Sequence, residues 1–358
     1  MTHVDFAVVG GGIIGCTIAR ELVLRAPDAS VLVLDQDAVG SGASRRSAGL
    51  HFPRGATERV RRMAGYSQAG YRALLAADPA LPIRPVPMLV VADRASAAQV
   101  EASYLAEARM SRVDELPDWL PPLTDETAAW TGEGCQYADV GALARALARS
   151  LRPGTSFREG ADVTALEETG DGYELALGTG ERVTARAVVL APGPWLAAPA
   201  WRDRLALLDV RVKKVVALHI EQPPAAGDGV VVFHDEDAFL LPLHEQRRWL
   251  FSYTSQVWDV EPDRLTGSVS AADLADAREV LVRRVPRLAG AARSGRVFCD
   301  AYSPDREPLV RALDEDGRLV FAGAANGSGY RLAPAIAAEA ADLLRTAVPT
   351  VSEQGSHP

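Results

Sequence analysis

The sequence predicts an α/β fold in two parts, one with a parallel sheet covered by helices and one with a mixed or antiparallel sheet. The first part follows from an apolar run at 5–9, a glycine-rich turn and a helical pattern directly after it. The second follows from five further β-rich runs between residues 88 and 253. With 358 residues, 48% of them hydrophobic, the chain is long enough for about two or three domains or one large mixed one.

The first predicted unit is a strand, a glycine-rich turn, a helix and a second strand, followed by an acid. In chain order these are the strand at 5–9, the GxGxxG glycines Gly10, Gly12 and Gly15, the helix at 16–25, the strand at 30–34, and Asp35. Gly10 permits the tight turn, Gly12 lets backbone amides approach a pyrophosphate, and Gly15 lets the helix pack against the strand. Asp35, about 20 residues after the last glycine, can accept the hydroxyl hydrogens of an adenosine ribose. The arrangement predicts a Rossmann-like unit that binds a dinucleotide.

The segment after Asp35 favours FAD over NAD as that dinucleotide. Residues 40–51 are small, polar and rich in glycine, where an ordinary dinucleotide dehydrogenase usually enters its next helix. Such a segment can wrap the second portion of a larger ligand with backbone amides and serine hydroxyls. An NAD-dependent Rossmann dehydrogenase stays open as an alternative.

The string at 40–51 resembles the FAD-dependent D-amino-acid oxidase superfamily, in the branch with glycine oxidase, sarcosine oxidase and dimethylglycine dehydrogenase. Three later segments agree in order: an apolar strand, turn and Trp at 187–195, the SPDREPL segment at 303–309, and the strand at 319–323 with the glycine loop at 326–334. The resemblance runs from residue 4 to 340. It implies a Rossmann-like FAD-binding domain and a second substrate domain with a mixed or antiparallel sheet.

The residues expected to bind FAD come from the first unit and from the resemblance. They are Gly10, Gly12, Ile13, Ile14, Gly15, Asp35, Gln36, Ser41, Gly42, Ala43, Ser44, Ser47, Ala48, Gly49, Val163, Ala191, Gly193, Trp195, Cys299, Gly323, Asn326, Gly327, Ser328, Gly329, Tyr330 and Arg331. Gly327 and Gly329 allow close approach to the flavin ring. Pro334 is expected in the first turn of a helix through Leu344, whose positive end points at the ring and favours its reduced state.

We expect the FAD to be non-covalent, with a covalent link through Cys299 as the alternative. Some amine-oxidising relatives attach the flavin through a cysteine near the 303–309 segment. Cys299 lies six residues before Asp305, which resembles that placement but is one residue off.

The two domains are expected to interleave along the chain. Residues 1–80, 139–195 and 296–345 are assigned to the FAD-binding domain, 81–138 and 196–295 to the substrate domain, and 346–358 to a flexible tail. Prolines near residue 85 mark the first crossing between the domains.

The resemblance implies oxidation of the C–N bond of a small amine or amino acid, with a hydride leaving the carbon beside a neutral amine for flavin N5. The resulting imine then hydrolyses in water. Two alternatives remain open from the sequence. One is the same fold oxidising a 2-hydroxy acid, and the other is a flavin-binding subunit that works only inside a hetero-oligomeric dehydrogenase.

Five residues are candidates for contact with the substrate. Arg331, two residues after Gly329, is where the resemblance implies a basic residue near flavin and substrate, and its guanidinium can hold a carboxylate. Arg54 follows the 40–51 segment and is expected at the same place. His51 is a candidate for holding the amine or moving a proton. Tyr253 and Tyr302 are candidates for lining the pocket.

The lysines bear on the electron acceptor. Sarcosine-oxidase relatives place a lysine near flavin N5, in the strand that we map to 250–254, where this chain has none. Its only lysines, Lys213 and Lys214, lie on an earlier predicted strand and are not expected to reach the ring. Oxygen is therefore expected to be a weak acceptor, and both an oxidase and a dehydrogenase stay open.

Composition excludes several other classes of protein. The net charge of −9 argues against a nucleic-acid partner or an anionic membrane surface. The three cysteines, Cys16, Cys135 and Cys299, form no CxxC pair, which excludes a zinc ribbon or a disulfide framework, and no metal is expected. No apolar run is long enough to span a membrane and no targeting segment is visible, so we expect a cytoplasmic protein.

Overall fold

The computed structural model describes residues 2–347. Its strands are β1 Thr2–Val9, β2 Val31–Leu34, β3 Leu50–His51, β4 Ile83–Pro85, β5 Met88–Asp93, β6 Ser111–Val113, β7 Thr127–Gly132, β8 Gln136–Ala138, β9 Thr155–Arg158, β10 Val163–Thr169, β11 Gly172–Leu177, β12 Arg182–Leu190, β13 Arg211–Ile220, β14 Val230–Phe233, β15 Ala238–Leu243, β16 Arg248–Trp258, β17 Ala292–Tyr302, β18 Leu309–Ala312 and β19 Leu319–Gly323. Its α-helices are α1 Ile13–Arg25, α2 Ala43–Arg46, α3 Glu58–Ala77, α4 Ala97–Ser103, α5 Val140–Leu151, α6 Arg202–Leu205, α7 Ala271–Arg284, α8 Pro286–Ala289 and α9 Gly329–Ala347.

The first sheet contains the predicted parallel strands. Its order is β10-β11-β12-β1-β2-β9, with β19 beside β12 and β18 beside β19. β1 lies between β12 and β2 and is parallel to both. All four residues of β2 are buried, as expected for a strand covered on both faces. Helices α1, α3 and α9 cover one face, through buried side chains such as Ile18 and Ile336.

The second sheet has the order β17-β13-β16-β15-β14-β5-β7-β6 and is antiparallel except where β14 pairs with β5. Its side chains alternate between two environments. Val216 and Leu218 of β13 pack with Leu281 of α7, whereas Lys213 and Val215 face a large cavity. A small third sheet joins β3, β8 and β4. The predicted fold class, an α/β Rossmann-like domain with a second mixed or antiparallel domain, is confirmed.

The division into two interleaved domains stays a prediction, and the sheets support it with one correction. The expected first-domain piece at 296–345 begins inside β17, which pairs with β13 along its whole length and so belongs to the second sheet. The boundary therefore falls after Tyr302, because a strand cannot leave its ladder partway without unpairing its backbone groups. The expected flexible tail lies outside the described residues from 348 onward, while 346 and 347 continue α9.

The start of α1 shows why the first motif needs glycine. The helix begins at Ile13, three residues earlier than the sequence predicts, and Gly12 is its N-cap. Gly15 therefore lies in the first turn of the helix. A Cβ atom on Gly15 would overlap the backbone oxygen of Gly10, so only glycine lets the helix pack this close to the end of β1.

The proline of the last helix lies inside α9 and not in its first turn, which corrects the sequence expectation. α9 begins at Gly329, so Pro334 falls in its second turn. Proline has no N–H to donate to the carbonyl group four residues earlier, which belongs to Tyr330. The hydroxyl of Tyr71, on α3, donates to that carbonyl oxygen instead.

Two further side chains complete the interrupted turn. Nδ1 of His51 donates to the carbonyl oxygen of Arg331 over 3.1 Å. The backbone N–H of Ala335, which follows the proline, donates to Oγ of Ser67 over 3.3 Å. Side chains from β3 and α3 therefore replace the helical hydrogen bonds that are missing around Pro334 in α9.

We expect Tyr71→Phe to destabilise the fold by about 1–3 kcal/mol, because the buried carbonyl of Tyr330 loses its donor while the ring packing is kept. The rings of Tyr71 and Tyr330 lie 4.8 Å apart and remain in contact in this variant. Urea unfolding followed by circular dichroism measures the change. Tyr66→Phe is the matched control, since Tyr66 lies on the same helix with 49% of its surface exposed. Equal unfolding midpoints for the two variants would contradict the assigned role of the Tyr71 hydroxyl.

No helix within residues 2–347 is long and apolar enough to cross a membrane.

Candidate active site

A cavity of about 1240 Å³ lies where the carboxyl ends of the first sheet's strands meet one face of the second sheet. Val9, Leu34 and Ala191 line it from the first sheet, and Lys213 and Phe298 from the second. Ordinary ligand pockets measure roughly 300–1,000 Å³. The volume is therefore enough for a ligand larger than a typical metabolite.

One end of the cavity is formed by the glycine motif. Gly10 has a φ of +107°, and a Cβ atom there would overlap the carbonyl oxygen of Ala191. Gly12, Ile13 and Ile14 bring the amino terminus of α1 to the cavity wall. The first N–H groups of a helix have no acceptor within the helix and carry partial positive charge, so this end of the cavity suits a diphosphate.

Asp35 holds the glycine loop as well as facing the cavity. One carboxylate oxygen accepts the backbone N–H of Gly11 over 2.6 Å, and the other accepts that of Asp37 over 2.9 Å. Burial raises the pKa of Asp35, and these two N–H groups oppose the rise. Each oxygen keeps a second lone pair, so the carboxylate can still accept from ribose hydroxyls.

The predicted wrapping segment forms the next part of the wall. Ser41, Gly42, Ala43 and Ser44 line the cavity around the short helix α2. The hydroxyl of Ser44 accepts the N–H of Ile13 over 2.9 Å, which ties the segment to the glycine motif. The segment is therefore ordered by the motif that it follows.

Most residues predicted to bind FAD line this one cavity. The exceptions are Gly15, Gly323 and Cys299. Gly15 acts through helix packing, as described above. Gly323 ends β19, where a Cβ atom would lie 3.1 Å from the ring of Phe321. Both glycines therefore shape the backbone without facing the ligand space.

Cys299 does not face the cavity. Along β17 the side chains of Phe298, Asp300 and Tyr302 line the wall, and strand alternation directs Cys299 to the other face. Burial raises the pKa of its thiol to about 12, which suppresses the thiolate needed for bond formation. The structure thus gives no support to the alternative of a flavin linked through Cys299.

The loop before α9 forms the opposite wall and carries Arg331. Asn326 and Gly327 adopt positive φ values of 53° and 74°. One guanidinium nitrogen of Arg331 donates to Oγ of Ser328 over 2.6 Å, its Nε has no partner, and its Cζ lies 5.0 Å from the centre of the Phe52 ring. Burial, together with the charge of Arg54, lowers the pKa of Arg331 to about 10.

Arg331 is one of several cations that line the cavity without an acidic partner. Within residues 2–347, Arg46, Arg54, Lys213, Arg306 and Arg331 all face it, and none has a carboxylate oxygen within 4 Å. Arginines away from the cavity do form such pairs, as Arg158 does with Glu181 over 2.8 Å. Clustered cations without acidic partners repel one another in a partly enclosed cavity, so this set indicates an anionic ligand.

His51 is buried and does not contact the cavity, which corrects the expectation that it holds the substrate. It is 0% exposed, while its neighbours Leu50 and Phe52 line the wall. Its ring is hydrogen-bonded to the Arg331 carbonyl and to the side-chain amide of Gln68. Burial lowers the pKa of His51 to about 4, so the ring is neutral. Its role is to hold the interrupted turn of α9.

The two candidate tyrosines lie on different sides of the second sheet. Tyr302 lines the cavity, and burial raises the pKa of its hydroxyl strongly. Tyr253 packs on the other face, near Asp276 and Glu279 of α7, while its neighbour Ser252 faces the cavity. Tyr253 is thus not placed to contact a ligand in this cavity, because strand alternation turns it away.

Sequence reasoning missed Lys213 as a cavity residue. Its Nζ lies 4.7 Å from the centre of the Trp258 ring and 5.6 Å from that of Tyr302, and burial lowers the pKa of the amine. The sequence placed neither lysine at the flavin ring, and the structure brings Lys213 to the cavity wall. Lys214 points to the other face and pairs with Asp273 over 2.5 Å. The sequence predicts that Lys213 and Lys214 lie on opposite faces of β13, but it does not tell which face lines the cavity.

The cavity fits an extended dinucleotide at the end formed by Gly10, Gly12 and Asp35. Glycines leave room for close approach, a helix amino terminus faces the diphosphate position, and a carboxylate faces the ribose position. The remaining volume, bounded by β13, β17 and the loop before α9, leaves space for a ring system and a small substrate.

Comparisons with known proteins agree with this geometry. A family model described as FAD dependent oxidoreductase matches residues 5–343. The chain is 29% identical to 4-methylaminobutanoate oxidase (formaldehyde-forming) of Paenarthrobacter nicotinovorans, over 97% of this chain and 44% of that protein. It is 32% identical to the tRNA 5-methylaminomethyl-2-thiouridine biosynthesis bifunctional protein MnmC of Caulobacter vibrioides, over 92% of this chain and 53% of that protein. The chain thus spans about half the length of these curated relatives.

Solved structures share the fold across their whole length. Glycine oxidase from Geobacillus kaustophilus matches with a TM-score of 0.79 at 21% identity, covering 99% of this chain and 98% of that one. L-proline dehydrogenase from P. horikoshii also matches with a TM-score of 0.79, at 19% identity, covering 98% and 96%.

Proposed function

The chain belongs to the family of FAD-dependent oxidoreductases, and on that premise we propose that it oxidises the C–N bond of a small amine or amino acid to an imine. Both the family and FAD as the cofactor agree with the sequence prediction. FAD, when bound, accepts the hydride that leaves the carbon beside the nitrogen. The chain's own residues then have three tasks: to bind the substrate, to orient that carbon, and to hold the proton and charge that the reaction moves.

The guanidinium of Arg331, which has no acidic partner, is the single observation that supports the substrate assignment. It is an enclosed guanidinium that faces the cavity with an unpartnered Nε and no acid in range. A substrate carboxylate would satisfy it with two parallel hydrogen bonds. Arg54, also unpaired and facing the cavity, adds a second positive charge to the same region. The proposed substrate is therefore an amine that also carries a carboxylate.

The relatives support C–N chemistry without fixing the substrate. The name of one curated relative describes oxidation of 4-methylaminobutanoate, which carries both an amine and a carboxylate. A substrate of that kind fits the unpaired arginines of this cavity. A cytoplasmic location stays a prediction from the sequence.

Anaerobic reduction of the purified flavoprotein tests the proposal. The flavin absorbance is followed in a stopped-flow instrument after mixing with 4-methylaminobutanoate, sarcosine, glycine, proline and D-alanine, and with lactate and glycolate. We expect at least one amine that carries a carboxylate to bleach the flavin, and matched amines without a carboxylate to do so far more slowly. Bleaching by the 2-hydroxy acids alone would overturn the proposal in favour of C–O oxidation.

We propose dioxygen as the electron acceptor, with Lys213 as the residue that promotes its reduction. Lys213 is the one lysine of the cavity wall in the described chain, and it has no carboxylate oxygen within 4 Å. A fixed positive charge in a partly dry site stabilises the negative charge that dioxygen gains as it is reduced.

We expect Lys213→Met to slow reoxidation by oxygen by about 100-fold or more, a typical effect of removing one preorganised charge-stabilising group. Anaerobic reduction by the amine should change much less. Lys213→Arg is the matched control and should keep most of the oxygen rate because it keeps the charge. Both rates are measured in separate stopped-flow half-reactions. Equal reoxidation rates in the wild type and Lys213→Met would remove Lys213 from this role.

A further inference from the structure

Asp300 is a carboxyl group in the cavity wall that no motif singled out. It lies on β17 two residues from Phe298 and two from Tyr302, so all three side chains point to the same side of the strand and line the cavity. Within residues 2–347 no arginine or lysine nitrogen lies within 4 Å of its oxygens, and the backbone N–H of Ala301 donates to one of them over 2.9 Å. The carboxyl group is thus held in place and open to a ligand on the cavity side.

The groups around Asp300 leave it as the available proton acceptor. On the elements packed around it, the titratable and charged side chains are Lys213 of β13, Cys299 and Tyr302 of β17, Arg46 of α2, and Asp237, Asp263 and Arg306 of the loops. Lys213 pairs with Asp300 in the β-ladder, but its amine is turned over the rings of Trp258 and Tyr302. Burial raises the pKa of Asp300 to about 6, and the N–H groups of Ala301 and Gly327 oppose the rise.

The short loop before α9 contacts the side chains of both Asp300 and Arg331. The N–H of Gly327 acts on the Asp300 carboxylate, while the next residue, Ser328, holds the Arg331 guanidinium. The same segment thus positions an anion-binding group and a carboxylate on the wall of one cavity. A molecule with a carboxylate and an ammonium group matches both charges.

An amine substrate reaches the enzyme with an extra proton. Alkyl ammonium groups have pKa values of about 10, as lysine does, so at neutral pH the nitrogen has no free electron pair. Hydride loss from the neighbouring carbon needs that pair, and a residue must take the proton. Neutral His51 is turned away from the cavity, and Tyr302 keeps its proton because burial raises its pKa strongly. The amine of Lys213 is turned over the rings of Trp258 and Tyr302.

We infer that Asp300 binds the ammonium group of the substrate and accepts its proton before oxidation. The inference rests on the proposed amine oxidation and adds the residue that selects amines over 2-hydroxy acids. The N–H bond breaks with its electron pair left on nitrogen, and an O–H bond forms on Asp300. The hydrogen of the C–H bond would then leave with its two electrons as a hydride for the bound FAD, and a protonated C=N bond would remain on the substrate. The Asp300 proton would return to solvent through the cavity. A 2-hydroxy acid has no positive charge to pair with this carboxylate.

A pair of unreactive ligands tests the binding step without any oxidation. Glycine betaine carries a carboxylate and a permanent cation, and 3,3-dimethylbutanoate has the same shape without the cation. Their dissociation constants are measured by calorimetry on the flavin-loaded wild type and on Asp300→Asn. We expect Asp300→Asn to raise the dissociation constant of betaine by about tenfold. This is the effect of losing a charge interaction large enough to shift a pKa by about one unit. Binding of 3,3-dimethylbutanoate should change less than about twofold by the same reasoning.

The pH dependence of anaerobic flavin reduction tests the proton transfer. Asp300 must be ionised to accept a proton, so kcat/KM of the wild type should rise with pH through about 6 and stay level until the amine itself deprotonates. In Asp300→Asn this acid limb of the profile, the rise through about pH 6, should disappear. Its kcat/KM should instead rise about tenfold per pH unit with the fraction of free amine. Asp300→Glu should restore part of the limb. Asp237→Asn, a second carboxylate of the wall, should keep it.

The outcomes separate this inference from the proposed function. If no amine reduces the flavin, the proposed function fails, while the betaine comparison still decides whether Asp300 binds a cation. If amines reduce the flavin but the acid limb and betaine affinity survive in Asp300→Asn, only the inference is overturned. If Asp300→Asn fails to hold FAD, the wild-type profile and Asp300→Glu decide, and a flat wild-type profile from pH 5 to 8 rejects the inference.

Discussion

Replacing Arg331 by methionine should nearly abolish the capture of substrates that carry a carboxylate. Removing one partner of a buried charge pair costs about 2–5 kcal/mol of binding free energy, which corresponds to a roughly 30- to 4,000-fold fall in kcat/KM. Methionine suits this position because it has a similar length and a good helix propensity in the first turn of α9. The measurement is anaerobic flavin reduction as a function of amine concentration.

The free enzyme should respond to Arg331→Met in the opposite direction. Arg331 faces the cavity unpaired, with burial lowering its pKa, so its charge is unfavourable until a ligand arrives. Removing it should therefore leave the urea midpoint unchanged or raise it. A variant that loses substrate capture but not stability cannot be explained as a damaged fold.

Two controls sharpen the Arg331 experiment. Arg331→Lys keeps the charge without the paired donors of a guanidinium, and we expect an intermediate kcat/KM. Arg62→Met removes an exposed arginine of α3, paired only with Glu58, and should change neither activity nor stability beyond about 0.5 kcal/mol. Unchanged kcat/KM in Arg331→Met would remove the carboxylate site and with it the observation that carries the proposed substrate.

Substitutions in the glycine motif should separate folding from FAD binding. Gly15→Ala places a Cβ atom against the backbone oxygen of Gly10, and no side chain there can move aside. We expect it to destabilise the protein by about 3 kcal/mol or more, the upper range for overpacking, and to yield little folded flavoprotein. Thermal unfolding and the soluble yield measure this effect.

Gly12→Ala is the matched substitution in the same turn. Its φ and ψ of −71° and −177° are open to alanine, and a Cβ atom would meet only Oγ of Ser44, at 3.2 Å. The protein should fold, but the methyl group faces the cavity where the diphosphate approaches. We expect FAD affinity, measured by flavin fluorescence on the apoprotein, to fall by at least about tenfold, or 1.4 kcal/mol. Equal FAD affinity in Gly12→Ala and the wild type would argue against a diphosphate at this turn.

The first unit was predictable because its physics is local. A buried strand, three glycines at fixed spacing, a helix and an acid lie within about 35 consecutive residues, and each residue type answers a constraint set by near neighbours. The helix boundary was still misplaced by three residues, since the third glycine lies inside α1 and not before it. The later motifs were assigned by resemblance, and most of their residues face the predicted ligand space.

The wrong site predictions share one cause, which is the direction in which the side chain points. His51, Tyr253 and Cys299 were reasonable residue types at the right places in the chain, but each points away from the cavity. On a strand, moving by one residue reverses the side chain, and sequence does not tell which face meets the other domain.

The sequence by itself determined the family, the cofactor and the two-part α/β fold, because these depend on spacing and pattern along the chain. Only the tertiary structure decided which side chains meet. It brought Lys213, Asp300 and Arg331, from three separate segments, to the wall of one cavity, and it assigned His51 to the turn that Pro334 interrupts. Such contacts depend on how the strand ends of the first sheet meet one face of the second sheet, and residue spacing along the chain does not specify that arrangement.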